Sequence, residues 1–180
     1  MNLVKSLFDK KITPVLAVFC LVLFVAETKR QLRRRTQPRG RRIVTNSIVA
    51  IPAFSLLRFL LLPILVKLAI QSRENGFGLL YRVKGNRLLT QAIAFLLLDY
   101  TNYLWHMLLH KVPLLWRFHV VHHSDLDLDL TTAFRFHFGE LIGSVFYRGS
   151  AVYALGATPK LVLLYEAVFE GATQFHHTNW

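Results

Sequence analysis

The sequence predicts an all-α integral membrane protein, with several transmembrane helices and a histidine-rich metal site on their cytoplasmic side. Three observations predict it. Hydrophobic residues make up 53% of the 180 and charged residues only 18%, below the roughly 25% of soluble domains. The apolar residues gather into runs long enough for helices. All eight histidines fall between positions 106 and 177. The same composition excludes a disordered chain and argues against a water-soluble nucleic-acid binder, in spite of a net charge of +12. The single Cys20 excludes a disulfide scaffold and a cysteine-based zinc site.

The first apolar run covers residues 12–26. It is short for a span of about 20 residues, and Leu7 and Phe8 extend it in a tilted helix. Lys29, Arg30, Arg33, Arg34, Arg35, Arg39, Arg41 and Arg42 follow it. A basic run beside an apolar helix stays on the cytoplasmic side and meets anionic headgroups, so this reads as a retained anchor with its N-terminus outside. A cleaved signal peptide ending at Ala26 is the alternative. No groove-reading motif accompanies the arginines, and nucleic acid is not expected as a partner.

Residues 46–70 are apolar but broken by Pro52, Arg58, Pro63 and Lys67. They form one kinked span or a re-entrant pair, and Arg58 needs a polar partner or a route to the interface. Residues 71–86 contain Gly76, Gly78 and Gly85 and read as a loop. Residues 87–109 form the next span, ending in Tyr100, Tyr103 and Trp105, aromatics suited to an interface. Residues 111–140 are mixed and polar. Residues 141–175 are apolar around Gly156 and Pro159, which predict a hairpin of two short helices. With residues 27–45 in the cytoplasm, alternate crossings return residues 111–140 and His176–His177 to the same side.

The histidines are spaced for chemistry. His106 and His110 are four apart, which places both imidazoles on one helix face. His119, His122 and His123 converge likewise. Neutral imidazole suits iron, zinc, copper or nickel, and five such residues exceed the needs of one tetrahedral zinc with an open position. They supply two metals, or one metal and its supporting partners. Taken singly, His137 reads equally as a structural residue, and His176–His177 as interfacial. Asp99 lies seven residues before His106, on the same helix face, where it either orients a ligand imidazole or is a helix-end charge. Asp125, Asp127 and Asp129 alternate with leucines and read as a solvated face. Glu140 and Glu170 read as ordinary helix polar residues. No G-x-S-x-G elbow, phosphate loop or H-E-x-x-H motif competes.

The run from Leu98-Asp99-Tyr100 through His106 to His110, Trp116-Arg117-Phe118-His119, Val121-His122-His123-Ser124-Asp125, Asp129 and Arg135-Phe136-His137 resembles the fatty acid hydroxylase superfamily, also called the sterol desaturase family. Phe175-His176-His177-Thr178-Asn179 is similar to that family's F-x-H-[ST]-N segment. The resemblance covers about residues 27–180. It implies a membrane enzyme with two iron ions and O2 as co-substrate, acting on a membrane lipid or sterol by hydroxylation, desaturation or ether cleavage. An electron donor protein of reductase, ferredoxin or cytochrome type is implied as partner. It also implies that His106, His110, His119, His122, His123, His137 and His177 are iron ligands or site histidines, with His176 a bystander. The family's further H-x-x-H-H box does not occur within the 180 residues. The expected organisation is therefore one membrane domain: an N-terminal anchor and Arg-rich loop over residues 1–45, and a C-terminally truncated hydroxylase-like region over 46–180. A non-catalytic truncated paralogue, and a membrane protein binding zinc or another transition metal, are the alternative readings. The expected location is a bacterial inner membrane or the endoplasmic reticulum.

Overall fold

The computed structural model describes residues 4–83 and 85–180, and the described residues are helical with no strand. A π-helical segment, Val4–Ile12, runs into α1 (Thr13–Lys29). Helix α2 (Arg39–Leu56) passes through a second π segment, Leu57–Leu61, into α3 (Leu62–Glu74). A 3-10 turn, Leu79–Arg82, leads to α4 (Arg87–Lys111), which α5 (Pro113–His123) follows at once. A 3-10 turn, Leu130–Phe134, precedes α6 (Phe138–Leu155) and α7 (Pro159–His177).

Local chemistry sets these boundaries. Pro63 cannot donate to the carbonyl of Phe59, and its ring crowds that carbonyl; the wider π turn at Leu57–Leu61 relieves the clash without ending the helix. Pro113 and Pro159 open α5 and α7, where a missing N–H costs nothing. Gly156 closes α6 at φ 74°, a left-handed conformation that favours glycine. Gly78 lies against it, at φ 139°, and a Cβ there would come within 2.6 Å of the Gly156 Cα. The hairpin expected around Gly156 and Pro159 is thus present, with helices of 18 and 19 residues.

The core joins α3, α4, α6 and α7 through Leu61, Leu65, Ala69, Leu98, Val152 and Val162. A smaller cluster packs Val4 and Phe8 against Leu62, Val66 and Leu163. Outward faces are also apolar: Val15, Val18 and Leu21 on α1, and Ile48 and Ile51 on α2, are all more than half exposed. A soluble protein seldom exposes such contiguous surface. Two helical stretches, Ser6–Lys29 and Arg39–Arg82, are long and apolar enough to cross a membrane. At 1.5 Å per residue the first reaches about 36 Å, more than the roughly 30 Å hydrocarbon core. Arg58 has the polar partner its position requires, an ion pair with Asp9.

Candidate metal centre

Helices α4 and α5 meet at a corner set by Lys111, Val112 and Pro113, and the corner brings their histidines together. The side-chain nitrogens of His106, His110, His119 and His123 lie within 4.8 Å of one another. His106 and His110 approach Nε2 to Nε2 at 3.1 Å, and His119 and His123 at 3.2 Å. His122 points away from this group and meets His177, at the end of α7, Nε2 to Nε2 at 3.0 Å. The two groups adjoin, since the rings of His119 and His122 are 5.6 Å apart.

Two imidazoles are held in a defined tautomer. Nδ1–H of His119 donates to Glu140 Oε2 at 3.0 Å, and Nδ1–H of His177 donates to the Thr173 carbonyl at 2.7 Å. Each therefore turns an Nε2 lone pair towards its neighbours, the arrangement by which a carboxylate or carbonyl orients a metal-binding histidine. His122 Nδ1 is buried with no hydrogen-bond partner among the described residues. Burial, reinforced by His177 and His119, pushes the His122 imidazole down to about 3. Burial and the neighbouring His119 and His110 lower His123 as well. His122 therefore stays neutral at physiological pH and keeps a lone pair for coordination, and the shift at His123 acts in the same direction. Trp116 leans on His110 and His123, and Phe136 stacks flat on His122 at 5.3 Å; His106, His110 and His123 are exposed, while His119 and His122 are buried.

The donor set fits a transition metal. Two nitrogens each about 2.1 Å from one ion are about 3.0 Å apart at a right angle and about 3.4 Å at a tetrahedral angle. The separations of 3.0 to 3.2 Å fall within or close to that range, so each pair of nitrogens could share one ion. All-imidazole donors are borderline ligands that suit iron, zinc, copper or nickel.

The remaining candidate residues lie apart. The structure does not bring His137 to the cluster: its ring packs on Phe118 and Phe138, and its Nδ1 accepts the Gly139 N–H at the N-cap of α6. His176 is exposed beside Phe175. Asp99 is exposed, lines a cavity next to His106, and has no hydrogen bond to a histidine among the described residues. Glu140 occupies the orienting position that spacing suggested for Asp99, so the reading of Glu140 as an ordinary helix residue is corrected.

A second correction concerns Asp125, Asp127 and Asp129. They form no solvated face. Arg42 is 3% exposed and donates to Asp125 through Nε at 3.0 Å and Nη2 at 2.7 Å, and also to Asp129, the Asp127 carbonyl and Thr132. Asp127 accepts from the backbone N–H groups of Thr36 and Gln37. Burial would raise its carboxyl, but those two N–H bonds and the Thr36 hydroxyl hold it below the ordinary carboxylate range. Asn46 and Arg135 complete the network. Glu27, fully buried, pairs with Arg39 and accepts from the Leu130 and Asn179 N–H groups. The basic segment is therefore a strut under the loop that follows His123, as well as a charged run. The alternating pattern concealed this because the partner lies more than 80 residues away.

A cavity of about 780 Å³ abuts the cluster. His106, Trp105 and Glu140 line it together with Leu16, Phe54 and Phe169. Its size lies in the range of small-molecule sites.

Among the described residues, an all-helical architecture, two apolar helices long enough to cross a membrane and a histidine cluster that could hold a metal ion define the class as a helical protein of membrane type. The family model described as fatty acid hydroxylase matches residues 91–180, half of the chain, and the chain belongs to that family. Comparison with the curated proteins and with the solved structures gave no match.

Proposed function

We propose that the chain is an O2-dependent di-iron oxidoreductase that hydroxylates or desaturates a membrane lipid or sterol. The observation that carries this reading is the convergence of His106, His110, His119 and His123 beside a largely apolar cavity that His106 itself lines. These four residues would hold one iron, and His122 with His177 would contribute to a second. When bound, the metal pair would supply the redox chemistry by which O2, two electrons from a donor protein and two protons from solvent either place one oxygen atom in a C–H bond and release the other as water, or remove two hydrogens from the lipid and release both oxygen atoms as water.

The protein's own residues do the rest. Glu140 and the Thr173 carbonyl fix the imidazoles of His119 and His177. Trp116 and Phe136 pack on the rings of His123 and His122 and restrain their orientation. The cavity takes the apolar body of the lipid, which the bilayer delivers without exposing it to water.

The site belongs on the cytoplasmic side in this reading. Arg30, Arg33, Arg34 and Arg41 are exposed. Their segment is tied to the site layer through Asn179, which accepts from Arg33 N–H at 2.8 Å, and through Asp127. Basic residues stay in the cytoplasm, so the histidines do also, within reach of a reductase, ferredoxin or cytochrome. These ties between the two ends make the chain one membrane domain in this account.

Elemental analysis of the detergent-purified chain, followed by tracing of labelled O2 and analysis of the lipid product, tests the reading. About two irons per chain are expected, with label either in a hydroxylated lipid or in water beside an unsaturated one. Zinc alone, no metal, or label from water would overturn it.

A further inference from the structure

Helices α6 and α7 each carry polar side chains at one-turn spacing along the cavity: Glu140, Ser144 and Arg148 on α6, and Glu166, Glu170 and Gln174 on α7. Three of the six are engaged elsewhere. Glu140 holds His119, and Arg148 pairs with Glu166. The others keep spare capacity. Ser144 is 3% exposed, and its hydroxyl makes no hydrogen bond among the described residues. Gln174 is 4% exposed; its Nε2 donates to Glu170 Oε1 at 3.2 Å, which leaves its Oε1 buried and without a partner. Buried polar atoms are normally satisfied, so an orphan acceptor on a cavity wall points to a missing donor.

The position of that acceptor is informative. Gln174 precedes His177 by three residues, about 4.5 Å along the helix axis. A free, buried amide oxygen is an acceptor, and a plain hydrocarbon offers nothing to it. We propose that the Gln174 amide oxygen receives the hydroxyl or amide N–H of the lipid that fills the cavity. The carbon presented to the histidines then lies next to an existing polar group rather than in the middle of an unfunctionalised chain. This rests on the lipid-oxidising reading above and adds the class of lipid: one bearing a hydrogen-bond donor close to the reacting end.

The test is binding. Tritiated stearyl alcohol and tritiated octadecane are titrated into the full-length chain in detergent, for the wild type and for Gln174→Leu. Micelle partition is common to both proteins and cancels in the comparison. The expected result is a loss of about five- to tenfold in alcohol affinity in the variant, with the alkane unchanged within about twofold. Equal changes for both probes, or no change for the alcohol, overturn the proposal. Gln174→Met, which keeps the length of the side chain, gives the same comparison if helical circular dichroism shows Gln174→Leu to be misfolded; a selective loss of similar size is expected there. Iron is counted in the same samples. Alcohol preference without iron supports this inference while removing the di-iron reading. Two irons without alcohol preference overturn this inference and leave the di-iron reading intact.

Discussion

Replacing Arg42 with methionine should release the loop behind His123. The guanidinium is buried against two carboxylates, Asp125 and Asp129, and a backbone carbonyl. Methionine fills much of the volume but leaves both acids buried without a counter-charge. Removing one partner of a buried ion pair costs about 3–5 kcal/mol, because the other stays desolvated. At roughly 2–4 °C per kcal/mol for a chain of this length, the melting temperature should fall by about 6–20 °C. The assay is thermal unfolding of the detergent-solubilised chain by helical circular dichroism. Adding Asp125→Asn and Asp129→Asn to Arg42→Met removes the stranded charges and should recover part of the loss. A variant that melts within about 2 °C of the wild type would refute the reasoning, since it would mean that water or another cation already satisfies the acids.

Other expectations follow from the same geometry. Glu140→Gln keeps the shape but weakens the hold on His119, and iron affinity measured by competitive chelation should fall about 10- to 100-fold. His177→Ala should reduce bound iron, whereas His137→Ala should leave it unchanged and cost only about 0.5–2 kcal/mol of stability as a lost helix cap; equal iron loss in both would place His137 in the centre after all. Acid should act through Asp125: burial alone would raise its carboxyl, but Arg42, Thr132 and Asn46 hold it at about 2. A carboxyl depressed below its unfolded value of about 3.9 stabilises above that pH, so melting temperature should hold down to about pH 4 and fall towards pH 2. Gly156→Ala places a Cβ at φ 74° and 2.8 Å from the Tyr81 ring, and should lower stability by about 1–3 kcal/mol in the same melts.

The helical spacing of the histidines was legible because each box lies within one helix, α4 or α5, where sequence distance translates directly into a face. The corner at Pro113, and hence the meeting of the boxes, was legible only through the family resemblance. Glu140 was missed because it reaches His119 from another helix, though its place in the polar series Glu140, Ser144 and Arg148 on an otherwise apolar α6 was a usable signal. Arg42 was read as one of eight interchangeable cations. Nothing local separates it from exposed Arg41, since the difference is made by a loop that begins at Asp125. His137 shows the reverse: the motif groups it with the others, yet a short extended stretch after Phe134 turns its ring to Phe118 and its Nδ1 to the start of α6.

The bonds from Glu27 to the N–H groups of Leu130 and Asn179 carry a consequence in time. Glu27 and Asn179 are 152 residues apart. At a synthesis rate of about 5–20 residues per second, Glu27 waits roughly 8–30 s for its last partner. During that interval the first two helices are already made, while Arg42 and Glu27 have nothing to neutralise them except each other's neighbours and water. The histidine layer cannot close over its strut until Leu130 and Asn179 have been made, so assembly of the centre waits on translation.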